Sequence, residues 1–317
     1  MKETGNLQKF SELKEAITKL KKEKNALIMA HYYQRDEIQE IADFIGDSLA
    51  LARQAAKTDA DIIVMCGVHF MGETAKILCR DKKVLIPDTK AGCSLADSCD
   101  PSEFKKFVED HPDHTVISYV NTSAAVKALT DIVVTSGNAR QIVEQLPQDE
   151  KIIFGPDKNL GEYINSVTGR EMLLWNGACH VHDRFSLEKI LQLKKDNPGA
   201  KILVHPECKR PLQLIADKVG STAALLDFAQ KDDSDVYIVV TESGILFEMR
   251  KKCPGKTFIA APADDAECQC NECDFMKMNT LQKVYECLRD ETPEIEVDPQ
   301  VAAKAVKPIE RMLEMSK

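Results

Sequence analysis

A chain of 317 residues has room for two or three compact units, since a domain takes about 100–150 residues. Hydrophobic residues make up 44% and charged residues 29%, with 14 Gly and 13 Pro, which excludes collagen, low-complexity disorder and a flexible linker protein. The balance of 42 Lys+Arg against 51 Asp+Glu, net −9, argues against a nucleic-acid binder, and no apolar run approaches the ~18 residues of a membrane span, so neither partner is expected.

The N-terminus carries Lys2, Glu3, Lys9, Glu12, Lys14 and Glu15, a charged helix rather than a signal peptide, and predicts a cytoplasmic protein. Three short apolar strands then recur along the chain, each ending in polar residues: 26–31 (ALIMAH, followed by Tyr32 and Tyr33), 115–119 (TVISY, followed by Asn121) and 201–205 (KILVH, followed by Glu207). Their ends, His31, Tyr119 and His205, are 88 and 86 residues apart. A second set, 61–66 (DIIVMC), 131–135 (DIVVT) and 235–240 (DVYIVV), opens each time on Asp and runs into Gly67, Gly137 or Gly244. The third set is 83–86, 151–154 and 257–261, each leading to Pro and an Asp just beyond. Stretches such as 47–57 and 123–129 carry apolar residues at helical spacing between them.

Apolar strands alternating with helices point to parallel sheets covered on both faces and joined by right-handed crossovers. The expected fold is α/β: three pseudo-threefold-related α/β/α sandwiches with short parallel sheets around a central active site, the alternative being one large doubly wound sheet. Their boundaries are expected at 1–98, 99–185 and 186–277, with the helices of 278–317 packing back on the first repeat. Ligands of open parallel sheets bind beyond the carboxyl ends of the strands. There lie His31, Tyr33, Tyr119, Asn121, His205 and Glu207, with Ser48, Ser136 and Thr222 beside helix starts, where backbone N–H groups suit phosphate or carboxylate. Singly, such hydroxyls are more often caps and such His or Tyr residues packed; threefold recurrence is what makes them candidates.

Eleven cysteines, an odd number, point in a reducing compartment to metal binding or catalysis rather than a disulfide framework. Cys93, Cys179 and the Cys268, Cys270 and Cys273 cluster follow the repeat, so one thiolate from each could meet on the axis and leave a zinc or one corner of a four-iron cluster open. A structural zinc held by Cys268, Cys270 and Cys273 with His180 or His182, or a set of unrelated thiols, fits the spacing equally. Cys66, Cys79, Cys99, Cys208, Cys253 and Cys287 carry no assignment.

The stretches MAHYYQRDEIQEIADFIGDSLALA, AGCSLADSC, YVNTSAAVKALTDIVVTSGNA, WNGACHVHDRF, VHPEC and CNECDFMKMNTL together resemble quinolinate synthase, the NadA family, over nearly the whole chain. The resemblance implies three α/β domains around a [4Fe-4S] cluster acting as a Lewis acid without net redox change. It implies condensation of iminoaspartate with dihydroxyacetone phosphate to quinolinate, with loss of phosphate and water, in de novo NAD biosynthesis. It also implies a functional link to an L-aspartate oxidase or dehydrogenase that supplies iminoaspartate. Carried over by resemblance, Cys93, Cys179 and Cys273 are the cluster ligands. By the same route His31, Ser48, Tyr119, Asn121, Ser136, His205, Glu207 and Thr222 contact substrate, and Glu207, His205, Tyr33 and His31 are the catalytic candidates. The third-domain spacing is Cys-x-Cys-x-x-Cys where some members have Cys-x-x-Cys-x-x-Cys, which leaves Cys268 and Cys270 without a role. Other three-repeat iron-sulfur enzymes, those of diphthamide synthesis or the reductive isoprenoid pathway, share the architecture but require electron delivery, and a zinc-stabilised scaffold is the non-catalytic alternative.

Overall fold

The structure, a computed structural model, describes residues 2–264 and 271–317. Its strands are β1 (Ala26–His31), β2 (Phe44–Gly46), β3 (Ile62–Cys66), β4 (Lys83–Leu85), β5 (Thr115–Tyr119), β6 (Ile132–Val134), β7 (Ile152–Gly155), β8 (Leu173–Leu174), β9 (Lys201–Val204), β10 (Lys218–Val219), β11 (Val236–Val240) and β12 (Thr257–Ala260). They form three four-stranded sheets of one topology, β2-β1-β3-β4, β6-β5-β7-β8 and β10-β9-β11-β12, with every pairing parallel. The α/β class and the threefold recurrence of the sheet are as the sequence predicts, and the single large sheet is excluded.

The expected strand equivalences need correction. Each sheet has four strands, not three, and 131–135 is not the counterpart of 61–66. The counterparts of β6 are the edge strands β2 and β10, while β7 sits in the central place of β3 and β11. A side chain marks the true register. Asp43, Asp131 and Asp217, each just before an edge strand, accept through Oδ2 from the N–H of Ile28, Val116 and Ile202, at 2.8 Å in all three. Their own N–H groups return a bond to the same three residues' carbonyls at 2.9 Å. In this register Ser48, Ser136 and Thr222 all lie five residues after the Asp, and Cys93, Cys179 and Cys273 all follow the fourth strand of their sheet.

The central strands are buried over most of their length because both faces are covered: Ile28, Ile63, Val64, Ile117, Ile153, Leu203 and Ile238 are fully enclosed. Burying each such side chain contributes ~1.5–3 kcal/mol. By density of internal packing the chain divides into Met1–Cys93 with Asp274–Ala302, and Ser94–Cys273 with Ala303–Lys317. In the first unit, Ile17 of helix Lys2–Glu23 and Leu281, Val284 and Leu288 of helix Leu281–Asp290 close one side of the β1–β3 core. In the second, one core joins Phe104, Val116, Val126 and Ile153, and another joins Ile190, Ile202, Val204, Leu212 and Ile238. The last helix, Pro299–Met315, ends in that unit, where Gln141 and Gln145 donate to the Met315 carbonyl and Asn138 to the Ser316 hydroxyl. Among the described residues no helix is long and apolar enough to cross a membrane.

Candidate functional site

In the first unit β1 runs out at His31, whose Nδ1 accepts the N–H of Tyr33 at 3.2 Å, which directs the protonated Nε2 away from the backbone. The two rings meet edge to face with centroids 4.4 Å apart. Lys277 Nζ donates to the Tyr33 carbonyl at 2.8 Å, and the Arg35 guanidinium donates to the carbonyls of Lys277 and Asn279. The segment after Cys273 is thereby strapped to the strand-end loop that carries Tyr33. Ser48 is the first residue of helix Ser48–Ala55, but the cap is Asp47, which accepts from Ala50 N–H.

In the second unit β5 delivers Tyr119 and Asn121, and the buried Asn121 Oδ1 has no hydrogen-bond partner among the described residues. Thr222 opens helix Thr222–Lys231 while Ser221 caps it. Ser136 precedes helix Ala139–Glu144, with the Asn138 side chain accepting from Thr135 N–H. At Ser48 and Thr222 a neighbour caps the helix, so capping does not account for the predicted hydroxyl, and helix Ala139–Glu144 after Ser136 has no side-chain cap.

The densest chemistry lies beyond β9. Glu207 Oε2 is 3.0 Å from His182 Nδ1 and 3.2 Å from His205 Nδ1, with all three side chains at most 3% exposed. The imidazoles stack at 4.6 Å, His182 Nε2 lies 2.9 Å from the Thr241 hydroxyl, and Cys179 Sγ is 3.3 Å from His182 Nδ1. Burial pushes the Glu207 carboxyl up, but the charges and hydrogen bonds of His182 and His205 outweigh it, so the group titrates well below the usual carboxylate range. Glu207 Oε1 is buried with no hydrogen-bond partner among the described residues. An ionised carboxylate with one satisfied and one unsatisfied oxygen is equipped to accept a hydrogen bond or hold a cation.

Cys179, His182 and Glu207 present ligand atoms within 4.8 Å of one another, a group able to hold a metal ion; Cys93 and Cys273 are not members of it. Two buried carboxylates hold the cysteine loops by the backbone. Asp157, two residues after β7, accepts Cys179 N–H at 3.2 Å, and Glu242, two residues after β11, accepts Cys273 N–H at 3.1 Å and Gly244 N–H at 2.7 Å. Burial, then the negative charge of Glu207, raises the Asp157 carboxyl well above its ordinary value. Thr241, Asp157 and Glu242 escaped prediction as site residues, and His182 entered only as a ligand of the alternative structural zinc. The available signal was position, since Asp157 and Glu242 both follow a central strand by two residues.

The cysteines sort by exposure. Of the nine described, Cys93, Cys179 and Cys273 are half-buried and the other six are buried. Burial pushes the Cys99 and Cys287 thiols up to about 12 and raises Cys66, Cys79 and Cys208 as well. Ligation requires a thiolate, so these buried thiols are poor donors. Of the predicted ligands, Cys179 belongs to the group that could hold a metal ion. Cys268 and Cys270 lie outside the described residues. His180 takes no part in the Cys179 group; its Nδ1 lies 2.5 Å from the Ser94 hydroxyl.

Comparison with known proteins gives one answer throughout. The family described as quinolinate synthetase A protein, NadA, matches residues 15–314. A protein of Chloroherpeton thalassium named quinolinate synthase is 55% identical over 316 residues, covering 100% of this chain and 98% of its own length. Proteins of that name from Thermosynechococcus vestitus and Microcystis aeruginosa are each 56% identical over 301 residues, covering 95% of this chain and 94% of theirs. With the match running through all three sheets and through Cys93, Cys179, His205, Glu207 and Cys273, the chain belongs to the NadA family.

Proposed function

We propose that this chain is a quinolinate synthase that condenses iminoaspartate with dihydroxyacetone phosphate, releasing phosphate and water, in de novo NAD biosynthesis. The observation that carries the reading is the buried Glu207 carboxylate, set between the His182 and His205 imidazoles with one oxygen unsatisfied. Condensation and dehydration need protons taken from carbon and delivered to leaving hydroxyl groups, and a carboxylate with two imidazoles in contact is suited to move them. His31 and Tyr33 form a second imidazole–phenol pair able to hand a proton to a substrate oxygen. Ser48 and Thr222, whose neighbours do the capping, and Ser136, ahead of a helix with no side-chain cap, are read as donors to phosphate and carboxylate oxygens, with Tyr119 and Asn121 orienting the substrate.

A [4Fe-4S] cluster fits the donor set, with Cys93, Cys179 and Cys273 as its ligands, because these are the half-buried thiols among the described residues. When bound, the cluster supplies a Lewis-acidic iron for a carboxylate or nitrogen of the substrate. We assign the three-domain division 1–98, 99–185 and 186–277 on the ground that each segment contains one complete sheet. We further place the protein in the cytoplasm, apart from membranes and nucleic acid, beside an L-aspartate oxidase or dehydrogenase that supplies iminoaspartate.

Anaerobic purification, iron and sulfide analysis and a quinolinate assay test the reading. Ser substitutions at Cys93, Cys179 and Cys273 are expected to abolish both iron retention and activity, while Cys268→Ser and Cys270→Ser keep both. A brown, iron-loaded preparation without quinolinate formation overturns the activity. Iron kept in Cys273→Ser but lost in Cys268→Ser or Cys270→Ser overturns the ligand set.

A further inference from the structure

Three short helices each turn one long, buried side chain back onto the loop that precedes them. Gln39, in helix Asp36–Ile41, donates from Nε2 to the carbonyls of Tyr32 (3.1 Å) and Gln34 (2.9 Å). Lys127, at the end of helix Ala124–Lys127, donates from Nζ to the carbonyls of Val120 (2.8 Å) and Thr122. Gln213, in helix Arg210–Leu214, donates from Nε2 to the carbonyls of Pro206 (2.9 Å) and Cys208 (2.7 Å). In every repeat the two acceptors lie 7 and 5 residues upstream of the donor. The donors are 1%, 0% and 7% exposed, so water does not compete for the carbonyls.

The residue enclosed between the two anchored carbonyls is Tyr33 in the first repeat, Asn121 in the second and Glu207 in the third. These are the positions read above as site residues. All six acceptors are carbonyl oxygens, so only a donor can serve, which in glutamine is the amide N–H, and the partners themselves fix the amide orientation. The second repeat uses an ammonium, which carries donors alone. The third uses an amide and leaves Gln213 Oε1 without a hydrogen-bond partner among the described residues. What the three have in common is a pair of N–H bonds, not a charge.

We propose that Gln39, Lys127 and Gln213 are positioning residues, a donor clamp repeated three times that fixes the backbone on both sides of Tyr33, Asn121 and Glu207; it rests on the quinolinate synthase reading for the reaction that it serves. Without the clamp the strand-end loop is free to shift while the strand before it stays paired. The effect belongs in turnover rather than in global stability, because misplacing a reacting or orienting group by an ångström lowers kcat by about 100-fold.

The test compares Lys127→Leu, which removes the donors, with Lys127→Gln, which installs the solution used by the other two repeats. Amide hydrogen exchange is measured on the substrate-free, cluster-loaded protein, alongside kcat, KM and the unfolding temperature. Lys127→Leu is expected to speed exchange across residues 120–122 but not within β5, and to lower kcat by about 10- to 100-fold. Lys127→Gln is expected to reverse most of both changes. Exchange at 120–122 that stays at the wild-type rate in Lys127→Leu overturns the clamp. So does a Lys127→Gln variant as impaired as Lys127→Leu, which would make the charge the requirement. Should Lys127→Leu unfold, Gln213→Met answers the same question by exchange at the amides of Glu207 and Cys208, where a wild-type rate again overturns it. A loop that loosens in Lys127→Leu and tightens in Lys127→Gln, in a wild-type chain that makes no quinolinate, supports the clamp and refutes the activity instead.

Discussion

Replacing Gly177 by Ala tests how tightly the Cys179 loop is set against its sheet. A methyl group at Gly177 would stand 2.5 Å from the Pro156 carbonyl oxygen and 2.6 Å from the Ser98 hydroxyl, where ordinary contact begins near 3.4 Å. The Ser98 hydroxyl can rotate away. The Pro156 carbonyl cannot, because it belongs to the backbone that leaves β7 and already accepts Gly177 N–H at 3.1 Å, while Lys158 N–H donates to the Gly177 carbonyl at 2.9 Å. Most of an ångström must therefore come from movement of the loop, which also carries the Asp157–Cys179 bond. Overpacking of this kind costs ~1–3 kcal/mol, and a unit of 150–250 residues loses about 2–4 °C per kcal/mol. Calorimetry is expected to show a fall of about 2–12 °C in Tm for Gly177→Ala, and iron analysis after anaerobic reconstitution a lowered content. Gly199→Ala, which meets nothing within 4 Å, is the control. If the two variants match in Tm and iron, the reasoning fails.

Glu207→Gln is expected to keep iron and fold while kcat falls by about 10²- to 10⁴-fold; a near wild-type rate would remove Glu207 from proton transfer. Inorganic phosphate is expected to compete with dihydroxyacetone phosphate, and Ser136→Ala to weaken that inhibition; an unchanged inhibition constant in both Ser136→Ala and Thr222→Ala places the phosphate elsewhere. In the first unit, hydrogen bonds from Lys24 and Lys83 lower the Glu291 carboxyl from 4.5 to about 2. A depressed folded-state pKa contributes stability that is fully present above pH 4.5 and disappears as pH falls towards 2. The Tm advantage of wild type over Glu291→Gln is therefore expected to shrink across that window and to be smaller in high salt, since both partners are within reach of water. A pH-independent difference would contradict the ion-pair assignment.

The central strands were legible because burial on both faces leaves an unbroken apolar run, as in 61–66, 115–119 and 235–240. Of the edge strands, β4, β6 and β12 were legible as strands but β2 and β10 were not, and a strand's place within its sheet was not legible either. DIVVT at 131–135 and DIIVMC at 61–66 look alike, both an Asp followed by branched apolar residues, yet one is an edge and the other a centre. What separates them is where the Asp side chain goes: Asp131 reaches back to Val116 N–H, whereas Asp61 accepts from the Asn25 side chain. At the site, residues at strand ends could be found from order along the chain, which is how His31, Tyr119, His205 and Glu207 emerged. His182, Thr241 and Glu242 are brought together by tertiary folding, and no spacing announces that His182 rather than His180 faces Glu207. The half-buried state of Cys93, Cys179 and Cys273 is likewise a property of packing.

The Asp bonds to the first strands also bear on how the chain begins to fold. Asp43 to Ile28, Asp131 to Val116 and Asp217 to Ile202 each close a segment of 15 residues. The length-dependent entropy of closing such a loop is ~2.4 kcal/mol and is the same in every copy. Each copy then gains two hydrogen bonds at once, because the Asp backbone and side chain both engage the same residue. A parallel pair ordinarily forms late, since its crossover must close before any strand contact rewards it. Here the short crossover and the double bond give the nascent chain three equally placed starting points, each available as soon as its own segment has left the ribosome.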